Sequence, residues 1–478
     1  MKKEKRFLAI GLALVMSLSL AACGSEKTPA SDTDKPADVV ADIPADDPQE
    51  EESAYTLLTD ADGNVYDLGG MEIIVGDWWT EDVETEATND FEEARDAYID
   101  WIQETYNFKI KTAAISTWGD MPQDFVNFAT TGGDENYVFT LRQGSELASA
   151  MQSGLMYDLS TLDCLDLSMD KWKASRICEL MSDGSAVYGM RGIAVEPRGG
   201  MYFNKRILTE AGIDPESLYT LQESGEWTWD KFEELCAMIN DDTDNDGKID
   251  RFALSGANNS FNNEAIFSNG GEIIGKDENG KYINKLESDN TMGALTWARE
   301  ILKKYEMTYP EDAAWDYFAS AFTNGEYAFR PDQAYVAGQL GEMEDDFGFV
   351  CFPKGPMATD YVNCYEDNVY VIPACYDHDR AWNIAFAYDL YTNPIPGFEG
   401  YADWKTNYYK SFRDTESVDL TIARLMTNGT ITYSSFITGL DMGPEFWWAI
   451  NDDNTPAQQA ETIRNTWQSY LDTANGLN

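Results

Sequence analysis

Histidine is almost absent from this 478-residue chain, with His378 alone. Zinc centres built on two or more imidazoles are thereby excluded, as is any Ser-His-Asp machinery that does not use that residue. Basic side chains are scarce, with 34 Lys and Arg against 85 Asp and Glu and a formal charge of −51. A surface this acidic repels nucleic acid and anionic lipid, so neither is expected as a partner. An anionic ligand would need a local basic pocket, which leaves a neutral ligand ahead. The cysteines at 164, 178, 236, 351, 364 and 375 contain no CxxC pair, so buried free thiols are expected rather than a disulfide scaffold. No GxxxxGK[ST] loop occurs, and only one long apolar run is present. Neither a nucleotide-hydrolysing engine nor a transmembrane bundle is therefore built into the chain.

That single apolar run, Phe7 to Leu20, follows Lys2, Lys3, Lys5 and Arg6 and leads into Leu20-Ala21-Ala22-Cys23. It is too short for a permanent span and ends in small residues, so residues 1–22 are expected to be a signal peptide. Leu-Ala-Ala-Cys resembles the bacterial lipobox, in which the Cys thiol carries diacylglycerol, so Cys23 is expected to anchor the chain to the outer face of the cell membrane by lipid. Residues 24–54 hold almost no large apolar side chains and much Asp, Glu, Pro, Ala and Ser. They are expected to form a disordered acidic linker running from Cys23 to residue 54.

From residue 55 the pattern changes. Tyr55 to Val65 around Asp60-Ala61-Asp62-Gly63 reads as a hairpin, and Met71-Glu72-Ile73-Ile74-Val75 as a strand ending at Asp77-Trp78-Trp79. Phe91, Ala94, Tyr98, Ile102 and Tyr106 repeat at helical spacing before an alternating strand from Phe108. A helix after Pro122, a strand at Tyr137-Val138-Phe139 and a helix from Glu146 continue the βαβ rhythm of a parallel sheet. Thr228 and Thr455 read as helix N-caps, the latter in a capping box with Gln458 and Pro at the first helical position. Ligands of such sheets gather beyond the strands' carboxyl ends. Trp78 and Trp79 stand there, and so do Arg142 and Glu146, which could bond hydroxyls or form a solvated ion pair capping a helix. Asn258, Asn262 and Asn263 form a polar cluster suited to a vicinal diol, with turn-forming Asn as the plainer reading.

Asp242-Thr243-Asp244-Asn245-Asp246-Gly247-Lys248-Ile249-Asp250 has acidic oxygens at positions 1, 3, 5 and 9 and Gly at 6. This spacing wraps a hard cation, with the Lys248 carbonyl at position 7. Position 12 is Ala253, so the bidentate Glu of an EF-hand is missing. A structural Ca²⁺ held by Asp242, Asp244, Asp246, Lys248 and Asp250 is expected, against a merely solvated acidic turn; no other cofactor is required.

Several segments in order resemble the family 1 extracellular solute-binding proteins, the sugar-capturing subunits of ABC importers that include maltose-binding protein. They are Gln152–Leu159, Tyr188–Glu196 followed by Met201–Arg206, Ala211–Ile213, Trp227–Phe232, Asn324–Phe329 and Phe446–Ile450. The family's Pro in the second of these is displaced, with Pro197 following Glu196. The resemblance implies a two-lobed α/β, periplasmic-binding-protein-like (type II) fold with a hinge and an interlobe cleft. It places lobe 1 at 55–195, lobe 2 at 196–345, a return to lobe 1 at 346–392 and a C-terminal helical segment, 393–478, mainly on lobe 2. It also implies ligand-bonding acids at Asp77 and Glu196, further contacts at Arg330, Asp332 and Tyr335, and a closing aromatic wall at Trp447 and Trp448. The function implied is a monomeric, non-enzymatic carbohydrate-binding protein that closes on an oligosaccharide and serves a membrane permease. A surface glycoside hydrolase, or a binder of polyamines or peptides, are the alternatives.

Overall fold

Alternation along Phe108-Lys109-Ile110-Lys111 buries the two apolar side chains and exposes the two lysines, and Met71–Asp77 buries Ile73 and Val75. The computed structural model describes residues 55–478 except 84–86, 193–198, 258, 366–367, 399–401, 453 and 478. The expected signal, Cys23 and the acidic linker lie outside the described residues, as do Glu196 and Asn258. Ahead of the first strand, Thr59 bridges Val65 in a small hairpin whose turn is held by the Asp60 carboxylate, which accepts the Asp62 and Asn64 N–H groups at 2.9 and 2.8 Å.

Strands β1 (Met71–Asp77), β2 (Phe108–Ala114) and β3 (Asn136–Leu141) run parallel with β1 central, Asp77 beside Ala114 and Gly76 beside Phe139. Helices α1 (Asp90–Thr105), α2 (Met121–Thr131) and α3 (Ser145–Gln152) join or follow them. Tyr98 and Ile102 of α1 enter the core beside Tyr106, as their helical spacing requires.

The second sheet comprises β4 (Gly199–Asn204), β5 (Phe252–Leu254), β6 (Tyr327–Gln333) and β7 (Phe347–Val350), in the order β7-β4-β6-β5. Every residue of β4 is buried, so this strand reads as a continuous apolar run rather than an alternation. Helix α4 (Trp229–Ile239) starts at Thr228, whose hydroxyl accepts the Lys231 N–H, and buries Trp229, Phe232, Leu235, Cys236 and Ile239. Helices α5 (Ser260–Ser268) and α6 (Asp289–Tyr305) pack alongside, with Trp229 stacked on Trp297 of α6 at 4.1 Å. Strand β7 lies at the sheet edge, where its outward N–H groups would be unpaired. Ser417 Oγ accepts the N–H of Phe349 at 2.9 Å, and Gln222 Oε1 accepts that of Cys351 at 2.7 Å. Side chains thus close an edge that would otherwise invite another strand.

The chain then returns to the first sheet as β8 (Val369–Val371), antiparallel to β3, giving the order β8-β3-β1-β2. Because β7 still pairs with β4, the return falls after Val350 and not at residue 346. Helix α7 (His378–Tyr391) covers the first lobe. The rest of the chain joins the second lobe's core through Phe412, Val418, Phe446 and helix α8 (Pro456–Ala474), which buries Ile463, Trp467 and Leu471. Ile395, Ile431 and Phe436 are exceptions and pack with the first lobe. At the start of α8 both halves of the Thr455–Gln458 capping box are made. No helix among the described residues is long and apolar enough to cross a membrane.

Candidate ligand-binding cleft

Because β1, β2 and β3 are parallel, their carboxyl ends share one edge. Beyond β2 the chain reaches Trp118, whose indole is 59% exposed. Beyond β3 it reaches Arg142, whose guanidinium lies 4.4 Å from the centre of the Trp118 ring. Arg142 Nη2 also pairs with Glu146 Oε1 at 3.2 Å, in the first turn of α3. The ion pair and the cleft wall are therefore the same residues: both side chains line the cavity, with Gln143, Gly144 and Ser145 between them.

The opposing wall comes from the second lobe. The amino end of α5 supplies Ser260, Asn263 and Glu264, preceded by Asn259, while β4 gives Gly199 and β6 gives Asp332 and Gln333. A Cβ at Gly199 would lie 2.0 Å from the Glu264 carboxylate, so glycine is what lets that nearly buried acid reach the cleft. Asp332 is fixed from behind by Arg330, whose Nε donates at 2.8 Å and whose Nη2 lies 2.7 Å from the same oxygen.

The C-terminal segment forms the third wall through Thr432, Ser434, Ser435, Asp441, Met442 and Gly443, followed by Trp447 and Trp448. Trp447 is 8% exposed and belongs to the core, whereas Trp448 is 63% exposed. The enclosed volume is about 600 Å³, in the range of small-molecule sites. Two open indoles, Trp118 and Trp448, thus belong to different walls of a cavity otherwise rimmed by amides, hydroxyls and carboxylates.

The bacterial extracellular solute-binding protein family matches residues 86–395. The chain belongs to this family. No curated protein sequence matches it significantly. Among solved structures it is similar to the cyclic alpha-maltosyl-1,6-maltose binding protein of Arthrobacter globiformis, with TM-score 0.60, 15% identity, and coverage of 85% of this chain and 100% of that one. It is also similar to UgpB of Mycobacterium tuberculosis in complex with glycerophosphocholine, at TM-score 0.58, 19% identity, and 80% and 95% coverage. A third is the ABC substrate-binding protein Lmo0181 of Listeria monocytogenes in complex with cycloalternan, at TM-score 0.56, 15% identity, and 86% and 100% coverage. These likenesses show the two-lobed fold.

In this solute-binding protein several side chains expected at the ligand sit elsewhere. Asp77 is 2% exposed, and its carboxylate accepts the N–H groups of Trp79 and Thr80 at 3.0 and 2.9 Å and the Thr80 hydroxyl at 2.5 Å. It closes its own loop and does not line the cavity. Trp78 and Trp79 form an edge-to-face pair, 4.9 Å between centres, at the carboxyl edge of β1 but outside the cavity lining. Arg330 is buried behind Asp332, Tyr335 is exposed away from the lining, and Asn262 lines a different hollow. Arg142, Glu146, Asn263, Asp332, Trp447 and Trp448 do converge.

Trp118 and the Thr432–Gly443 segment were not singled out from sequence. Trp118 follows β2 as Trp78 follows β1, and the strand-end rule applied there would have found it. The six described cysteines are all free. Burial pushes the Cys164 thiol up to about 12 and Cys178 up to about 11, so neither offers a thiolate at neutral pH. In the 242–250 loop, oxygens of Asp242, Asp244 and Asp250 come within 4.8 Å of one another. Asp246 stands apart from that trio, with its Oδ1 accepting the Lys248 N–H at 2.9 Å.

Proposed function

We propose that the protein captures an uncharged oligosaccharide in this cleft, closes about its hinge and delivers the sugar to an ABC permease, remaining lipid-anchored at Cys23. The observation that carries the reading is the cavity between lobes with two open indoles, Trp118 and Trp448, in its lining. Sugar rings present apolar C–H faces to such platforms and hydroxyls to the amides, Ser434 and the carboxylates between them. Closure follows if the ligand bridges both walls, because its contacts then favour the shut form. A structural neighbour named as a cyclic alpha-maltosyl-1,6-maltose binding protein and another in complex with cycloalternan support this choice of ligand class. The family consists of binding proteins, and we assign no enzymatic activity.

A cationic solute such as a polyamine has one observation in its favour: the charged side chains lining the cleft are Arg142 against Glu146, Glu264, Asp332 and Asp441. Arg142 and Arg330 neutralise two of those acids by direct pairing, which favours the uncharged guest. A thermal-shift screen with malto-, cello-, xylo- and manno-hexaoses and spermidine separates the two. The sugar reading requires a rise with at least one glycan and contraction in solution scattering with that glycan; a response to spermidine alone refutes it. Replacing Cys23 by Ala should move the protein from the detergent phase to the aqueous phase, and retention in detergent would remove the anchor.

We also infer that the 242–250 loop holds Ca²⁺ through Asp242, Asp244 and Asp250, because each offers a carboxylate oxygen and these lie within 4.8 Å of one another. Millimolar Ca²⁺ should raise the Tm of the wild-type protein and not that of Asp242→Asn. An unchanged wild-type Tm rejects the site.

A further inference from the structure

Asn262 and Asn263 are neighbours in sequence, yet only Asn263 faces the cleft. Successive residues of a helix point about 100° apart, and Asn262 lines a second hollow of about 550 Å³ on the other side of α5. The two cavities are back to back. Asn451, in the second, donates from Nδ2 to Asn259 Oδ1, in the first, at 3.0 Å.

The Asn262 side chain is the unusual group here. The residue is 4% exposed, and its side chain lines the hollow. The hollow it lines has an apolar floor including Leu295 and Met307, and Trp315 on its rim is 76% exposed. Arg299 is held in the wall by donating from Nη1 to the Ile450 carbonyl at 2.8 Å.

We propose that this hollow is a second carbohydrate-binding site, separate from the cleft and on the outer side of the second lobe. A flat exposed indole matches the C–H face of a sugar ring, and one amide supplies the donor and acceptor that two adjacent hydroxyls need. Opposite charges on its lining, Arg299 and Lys303 with Glu306, suit a neutral guest better than an ion.

Fluorine NMR of protein labelled with 5-fluorotryptophan tests this, the Trp315 signal being the one lost in Trp315→Phe. Malto-, cello-, xylo- and manno-hexaose are added separately at millimolar concentration. At least one should shift the Trp315 signal. That shift should persist in Trp448→Ala and vanish in Asn262→Leu, whose Tm should stay close to that of the wild type. A Trp315 signal unmoved by all four glycans while cleft tryptophans respond overturns the second site and leaves the cleft reading standing. A shift that disappears in Trp448→Ala was transmitted from the cleft and also overturns it. A fall in Tm for Asn262→Leu with the shift retained makes the amide structural. Silence of every tryptophan refutes both sites.

Discussion

Replacing Trp448 by Ala should weaken oligosaccharide binding about 50- to 100-fold and leave the Tm nearly unchanged. The indole is 63% exposed at the cleft wall, so little packing is lost with it. Stacking a sugar on half of an indole covers about 100 Å², worth about 2.5 kcal/mol at ~25 cal/mol/Å², and each 1.4 kcal/mol is tenfold in affinity. Trp447 is the informative contrast. It is 8% exposed and packs edge-to-face on Phe446 at 5.1 Å. Its truncation leaves a hole and lowers stability by about 3–5 kcal/mol, so any loss of binding there reports unfolding. Trp118→Ala should lie between the two, because it also frees Arg142 from its ring. Calorimetric titration with the glycan found by thermal shift, beside melting curves for each variant, reads all three. Wild-type affinity in Trp448→Ala would take the platform out of the binding site.

The fold was legible where burial imposes a period. Ile73 and Val75, Phe108 and Ile110, and the stripe Phe232, Leu235 and Ile239 each show the repeat of the element they form. The lobe boundary was less so. Strand β7 belongs to the second lobe because Phe347 pairs with Asn204 and Phe349 with Tyr202, and such distant pairings leave no local mark. Motif order identified the family for a separate reason: segments such as the helix exit at Gln152–Leu159 and the helix start at Trp227–Phe232 carry local chemistry.

The site was legible only in part. An acid just past a strand, such as Asp77, can bond a ligand or cap its own loop, and the short side chain makes the second competitive. The N–H groups of Trp79 and Thr80 lie within its reach, so the loop claimed it. In sequence Asn258, Asn262 and Asn263 read as one polar cluster, whereas the helix separates the last two, sending Asn263 to the cleft and Asn262 to the hollow behind. Thr432, Ser434 and Asp441 lie in an irregular segment with no period to read, and only the folded chain brings them opposite Arg142.

Replacing Lys171 by Met should destabilise the protein by about 3–5 kcal/mol, the usual result of removing one partner from a buried ion pair. Its ammonium lies 2.8 Å from Asp389 Oδ1, with side-chain exposures of 6% and 15%. It also donates to the Asp389 carbonyl at 2.7 Å and to Asn393 Oδ1 at 2.6 Å, at the end of α7. Burial lowers the Lys171 pKa, and Asp389 opposes that shift. With Met at 171 the Asp389 carboxylate keeps its desolvation and loses its counter-ion. Nearby, a Cβ on Gly192 would come within 2.5 Å of Thr392 Oγ1 and 2.8 Å of the Trp172 ring. The segments at Gly192 and Thr392 therefore meet where Lys171 is anchored. The double variant Lys171→Met with Asp389→Leu should recover most of the loss, because apolar residues of similar size replace such pairs at little cost. Guanidinium denaturation of the wild type and the three variants closes the thermodynamic cycle. A single variant within about 1 kcal/mol of wild type would mean that water reaches the pair and screens it.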